Sequence, residues 1–236
     1  MNRVALITGV GPGLGAALAR RFAREGFQLG LVARKTNFIE TLANEISASG
    51  PRSLAVVADV GRPAEVAAAV KQVRANLGPI GVLIHNASSS IGAGLLATTP
   101  EEFEMSWRVA ALGGLVCARE TAPDMVEAGH GVMLFTGATS SVRGGGWLAF
   151  SSAKFAVRGL VQSLARELWP RGVHVAHVII DGLIAPARTT IEDTLDDEPV
   201  LDPDRIADTY WHLASQDRSA WTLELDLRPH TEQFYL

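Results

Sequence analysis

ALITGVGPGLGAALARRF, residues 5–22, sets a short apolar run, a glycine-rich turn and an amphipathic segment end to end. The run Val4–Thr8 has the length and composition of a buried strand. Beyond the turn, Gly15, Leu18, Ala19 and Phe22 recur at helical spacing, and Gly26 stands where a helix C-terminus is expected. In such a strand–turn–helix unit, Gly9 makes the turn tight, Gly13 lets a ligand reach the backbone, and Gly15 lets helix pack on sheet. The helix start offers free N–H groups and a partial positive charge to a pyrophosphate. Glycines alone are a weak signal, but in this context they predict dinucleotide binding.

The same alternation continues outward. Apolar runs at 29–33, 53–58, 81–85, 131–136 and 174–180 read as buried strands, and 222–227 alternates like a further strand at one edge. Between them, Val66, Val70, Val73 and Leu77 mark a helical face, as do Ile206, Tyr210 and Leu213 behind Asp202 as N-cap and Pro203. Strands alternating with helices predict a doubly wound α/β fold, with about seven mostly parallel strands covered on both faces. No linker, repeat or composition break divides the chain, so residues 1–236 read as a single domain. Residues 182–201, rich in acidic side chains, form the one long patternless connection and the expected substrate-side loop.

The second strand ends in Ala33-Arg34-Lys35. A carboxylate there would take the ribose 2′-hydroxyl of NAD, whereas Arg34 suits the 2′-phosphate of NADP. NADP(H) is therefore favoured over NAD(H).

Composition narrows the partners. Hydrophobic residues make up 47% of 236 and charged residues 19%, enough for a large core. The net charge of −4 argues against a nucleic-acid or anionic-membrane surface. Cys117 is the single cysteine, which excludes internal disulfides and fits a reducing compartment. With no cleavable leader and no long apolar span expected, a cytoplasmic location follows. His174 and His177 lie three apart on a strand and should face opposite ways, so no metal site is expected. The five tryptophans do not interleave with basic residues and read as packing.

Five motifs in register carry a resemblance to a known family. TGVGPGLG (8–15), Asp59 after the third strand, HNAS (85–88) after the fourth, FSSAK (150–154) and the helix beginning LDPDRIA match the order and spacing of the short-chain dehydrogenase/reductase family. The resemblance implies a Rossmann-type sheet, an NAD(P) cofactor, a small-molecule substrate and a homodimer or homotetramer. It assigns Gly9, Gly13, Leu14 and Gly15 to the phosphates and nicotinamide half, and Asp59 and Val60 to the adenine. Asn86, Ala87 and Ser88 would line the ribose, Lys154 would bond the nicotinamide ribose, and Ile184 after Asp181-Gly182 would meet the carboxamide. The subunit face would be built on the helices at 101–118 and 150–168, which are apolar on more than one side.

The chemical positions depart from that pattern. Phe150 falls where the family has its tyrosine, Gly137 where it has its serine, and Ala110 where it has its helix asparagine; only Lys154 remains of the set. A tyrosine acid contributes about 10²–10⁴ in rate, so ordinary carbonyl reduction by the family route is disfavoured. Ser140, Ser141, Ser151, Ser152, His85, Asp181 and Tyr210 are conceivable substitutes, each reading better as a structural polar group. Two functions follow: an oxidoreductase of divergent mechanism, or a non-catalytic NADP(H)-binding redox sensor or partner subunit.

Overall fold

The first strand, β1 (Val4–Thr8), is buried along its whole length because it has a neighbour on each side. The computed structural model describes residues 3–90, 92–185 and 200–231. β1 pairs in parallel with β2 (Gln28–Ala33), Val4 opposite Gln28, and with β4 (Val82–His85), Ala5 opposite Val82. With β3 (Ser53–Val57), β5 (Gly131–Thr136), β6 (Val173–Ile180) and a later edge strand Glu224–Leu227, the order is 3-2-1-4-5-6 and then that edge. All seven strands run parallel. Two short strands, β7 (Leu183–Ile184) and β8 (Val200–Leu201), pair with each other, which makes the edge strand β9. The order reverses between β1 and β4, and a crevice forms beyond strand ends at such a reversal.

Helices α1 (Leu14–Arg24), α2 (Thr36–Ser49) and α7 (Pro203–Ala214) cover one face, and α3 (Pro63–Leu77), α5 (Gly113–Glu127) and α6 (Leu148–Leu168) the other. Each buries the residues its spacing predicts: Leu18 and Phe22 on α1, Val66, Val70 and Val73 on α3, Ile206, Tyr210 and Leu213 on α7. Asp202 caps α7 by accepting from the Asp204 N–H at 2.8 Å. Gly26, at φ +81°, takes the left-handed turn just past α1.

The helical run at 101–118 is not uniform. α4 (Pro100–Trp107) opens with a capping box between Thr99 and Glu102, then Arg108–Leu112 widens into a π-helical turn before α5. Such turns concentrate at functional sites. Two tryptophans depart from simple packing: Trp147 and Trp107 remain 52% and 43% exposed. Among the described residues no helix is long and apolar enough to cross a membrane. Most of the expected 182–201 loop lies outside the described residues.

Candidate functional site

The glycine turn after β1 has the shape of a phosphate cradle. Gly9 holds φ +71°, and a Cβ there would meet the Ala87 backbone at 2.5 Å. Gly15 packs on Val10, where a Cβ would stand 2.7 Å from Cα. A Cβ on Gly13 would meet nothing within 4 Å. Protein packing therefore does not demand glycine at 13, whereas a ligand approaching the backbone would. Among the described residues no side chain caps the first turn of α1; the Ala16 N–H turns back to the Gly11 and Gly13 carbonyls, which leaves those of Leu14 and Gly15 for an anion.

A cleft of about 400 Å³ opens beside this loop. It gathers Gly9, Arg34, Asp59, Val60, Asn86, Ala87 and Ser88 from four separate strand ends, with Lys35 and Phe38 at the β2 side. Arg34 and Lys35 make no ion pair among the described residues, so two cations face the cleft uncompensated. Asp59 accepts from the Gly61 N–H at 2.9 Å, which fixes its carboxylate at the cleft wall. These residues fit an NAD(P) molecule: open donors for the pyrophosphate, cations where a 2′-phosphate would lie, and an apolar wall for the adenine. Gly13, Leu14, Gly15, Gly182, Ile184 and Lys154 lie outside this cleft wall.

The strand ends connect the cleft to Lys154. Asn86 Nδ2 donates to Gly9 O at 3.0 Å, and its Oδ1 accepts from Thr136 Oγ1 at 3.1 Å. Thr136 Oγ1 also meets the Tyr210 hydroxyl at 2.8 Å, and its carbonyl accepts from Lys154 Nζ at 2.8 Å. Burial pulls the Lys154 pKa down to about 8. Its Nζ sits 5.4 Å from the centroid of the Phe150 ring, four residues back on α6. A tyrosine in Phe150's place would thus have shared the lysine's surroundings.

His85 ties β4 to the π-helical turn. Its Nε2 donates to Ala110 O at 3.1 Å, so its Nδ1 accepts from Thr8 Oγ1 at 3.0 Å. Burial first, then the charge of Lys154, lowers its pKa to about 4, so this imidazole is neutral. Of the other expected substitutes, Ser140, Ser141, Ser151, Asp181 and Tyr210 are also engaged. Ser141 Oγ accepts from the Ala138 N–H, Ser151 Oγ donates to Ser140, and Asp181 is held by Thr139 and by Arg228 at 2.6 Å. Burial raises the Cys117 thiol to about 12.

Gly137 is the position that the sequence explains least. Left-handed backbone is the obvious reason for glycine, but Gly137 is not among the positive-φ glycines. The reason is steric: a Cβ would stand 2.4 Å from His177 Nε2 and 2.7 Å from its Cε1. His177 enters from β6, on the face toward α6, while His174 points to the opposite face and binds Leu213 O and Thr222 O. His177 Nδ1 lies 3.0 Å from Glu224 Oε2, and Arg158 grips that carboxylate in a fork at 2.7 and 2.6 Å. His177, Glu224 and Arg158 escaped the sequence reading, which weighed His177 only as a metal ligand. The available signal was Gly137 itself, since a lost side chain invites a neighbour into its space.

A parallel sheet with its order reversing at β1/β4, a glycine cradle and a cleft lined by both central strand ends define a Rossmann-type dinucleotide-binding protein. The sequence pattern described as short chain dehydrogenase matches residues 3–196. The chain belongs to the short-chain dehydrogenase/reductase family. It is 32% identical over 228 residues to a (2S)-[(R)-hydroxy(phenyl)methyl]succinyl-CoA dehydrogenase subunit of Thauera aromatica, covering 92% of this chain and 90% of that one. A short-chain dehydrogenase structure from Rhodopseudomonas palustris superposes with a TM-score of 0.85 at 37% identity, covering 98% of this chain and all of the other. An alcohol dehydrogenase from Thermococcus sibiricus, complexed with 5-hydroxy-NADP, does so with a TM-score of 0.89 at 26% identity, covering 99% of both.

Proposed function

We propose that this protein is an NADP(H)-dependent oxidoreductase acting on a small organic substrate without the family's tyrosine acid. The observation that carries the cofactor choice is the pair Arg34 and Lys35 at the cleft end of β2, which make no ion pair among the described residues, with Phe38 beside them. The NADP analogue in the Thermococcus sibiricus neighbour supports the same choice. When bound, the nicotinamide supplies or accepts the hydride. The chain's own part is to hold it: Arg34 at the 2′-phosphate, the α1 donors at the pyrophosphate, and Lys154 at the nicotinamide ribose. Thr136 and Asn86 keep Lys154 and the phosphate loop in one hydrogen-bonded frame.

Phe150 favours a second reading, a redox sensor or partner subunit that binds NADP(H) without turning it over. Both readings require the cofactor, and a cytoplasmic location suits either. Exposed Phe103, Met105, Trp107, Leu115 and Phe155 on α4, α5 and α6 suit a homodimer or homotetramer. The test is calorimetric titration of the protein with NADPH and NADH, repeated on Arg34→Ala. The expected result is tighter NADPH binding, reduced selectively in the variant by about 1.5–3 kcal/mol, the value of a hydrogen bond to a charged group. Equal affinity for both cofactors in the parent refutes the choice of NADP(H), and a screen of aldehydes, ketones, quinones and alcohols then separates enzyme from sensor.

A further inference from the structure

Burial leaves one ionisable side chain in this region with an unsatisfied atom. His177 is 1% exposed, and among the described residues its Nε2 has no hydrogen-bond partner. The opposite nitrogen is fully committed. Glu224 accepts from Nδ1, and Arg158 keeps that carboxylate ionised and in place. A carboxylate partner requires the proton on Nδ1, so the neutral ring carries its lone pair on Nε2. Buried acceptors in native proteins are nearly always paired, so an orphan of this kind points to an absent donor.

The position of that lone pair gives it meaning. It lies 2.4 Å from where a Cβ on residue 137 would stand. The resemblance places a serine at that residue, whose hydroxyl would supply an oxyanion-type hydrogen bond. Glycine is the one residue that leaves the imidazole its room, and the ring brings a nitrogen where the hydroxyl would be rooted.

We propose that His177 is the proton-accepting residue of this site, receiving through Nε2 the hydroxyl proton of an alcohol substrate. The proposal rests on the oxidoreductase reading above. In the step, the substrate O–H bond breaks and its proton forms a bond to Nε2. The electron pair left on oxygen closes the carbonyl, and the carbinol hydrogen departs with its electron pair to the oxidised nicotinamide. The alcohol is oxidised to a ketone or aldehyde, the nicotinamide is reduced, and the imidazolium later releases its proton to solvent. Glu224 stabilises the imidazolium while it exists, the role a carboxylate plays behind a catalytic histidine. Carbonyl reduction retraces the path with Nε2–H as donor.

The charges around the ring are mixed. Glu224 on β9 favours the imidazolium, whereas Lys154 and Arg158 on α6 oppose it; Ser141 contributes only a hydroxyl. Burial dominates and holds His177 below its ordinary value of 6.5. The base form is therefore present at neutral pH. Lys154, near 8, is the rival base and would act only on the alkaline side.

The experiment uses the whole chain labelled with nitrogen-15 histidine. Imidazole spectra are recorded across pH, then with NADP⁺ and trifluoroethanol together, with His177 assigned by its loss in His177→Asn. The expected result is an unprotonated Nε2 that titrates below pH 6.5 and shifts when the alcohol is added. In parallel, NADPH formation from a panel of secondary alcohols should rise with pH below that value and level off. His177→Asn should lose about 10²-fold or more in rate with NADP⁺ affinity kept. Glu224→Gln, which retains the ring, should displace the pH profile, and this guards against a His177 variant that does not fold.

An Nε2 that ignores both pH and alcohol overturns the assignment. So does parental turnover in His177→Asn, or a rate that rises only near pH 8. Where no alcohol in the panel turns over, the spectra decide alone. Failure of NADP⁺ to bind sinks the oxidoreductase reading itself, whereas binding beside a silent Nε2 sinks only the role of His177.

Discussion

Gly137→Ser asks the structure for a specific cost. The new Cβ would stand 2.4 Å from His177 Nε2 and 2.7 Å from Cε1, inside the ~3.5–4.0 Å of normal contact. The ring has little room to retreat, since β6 lies between β5 and β9 and Nδ1 is tied to Glu224. Overpacking of a filled interior costs about 1–3 kcal/mol. Swinging the ring away forfeits a hydrogen bond to a charged group, worth about 1.5–3 kcal/mol. Taking whichever relaxation is cheaper, the variant should lose about 2 kcal/mol, which lowers Tm by about 4–8 °C in a chain of this length. Thermal melts of Gly137→Ser, His177→Ala and the double variant form the assay. Removing the ring makes room for the serine, so the double variant should be more stable than the sum of its parts by about 1–2 kcal/mol. If Gly137→Ser melts with the parent, or the two changes simply add, the steric account of Gly137 is wrong.

Phe150→Tyr alone should raise NADPH-dependent reduction of simple carbonyls tens-fold or more, recovering part of the ~10²–10⁴ of a general acid. If a variant that still binds NADPH gains nothing, the pocket differs in shape as well as chemistry. Lys154 makes stability depend on pH: with its folded pKa lowered from 10.5 to about 8, the unfolded chain binds more protons between those values, so stability should rise with pH across that window. Chemical denaturation of Lys154→Met should lack this rise, and a parent that is flat from pH 8 to 10 refutes the burial-driven shift. Light scattering should find a homo-oligomer at micromolar concentration, and a monomer would leave the apolar faces of α4 and α6 without a covering surface.

The strands were legible because a parallel sheet buried on both sides writes itself as unbroken apolar runs, and Val4–Thr8 and Gly131–Thr136 fall where those runs do. The edge strand Glu224–Leu227 showed only a short alternation, because one side of it lacks a partner. Cleft-lining residues were legible where geometry follows chain order: Gly9 must turn, Arg34 follows β2, and Asn86 follows β4. The π-helical turn at Arg108–Leu112 was not, since its widening keeps the apolar spacing of an ordinary helix. Nor was the His177–Glu224–Arg158 cluster, whose members come from β6, β9 and α6 and meet only through sheet register. Gly137 was visible as a departure, but its cause lay forty residues away, across the sheet.

β1 lies beside the central strand of the sheet and is made before it, since its second neighbour is residues 82–85. The cofactor loop waits on the same event, because Gly9 is shaped by contact with Ala87 and by the Asn86 side chain. At about 5–20 residues per second, a growing chain spends several seconds with one side of β1 open. During that interval the nascent protein can pair β1 with β2 but cannot hold a nucleotide, so the cofactor cannot assist folding until β4 has left the ribosome. The unpaired edge of Val4–Thr8 is then the surface on which a chaperone, or another unfinished chain, would add a strand.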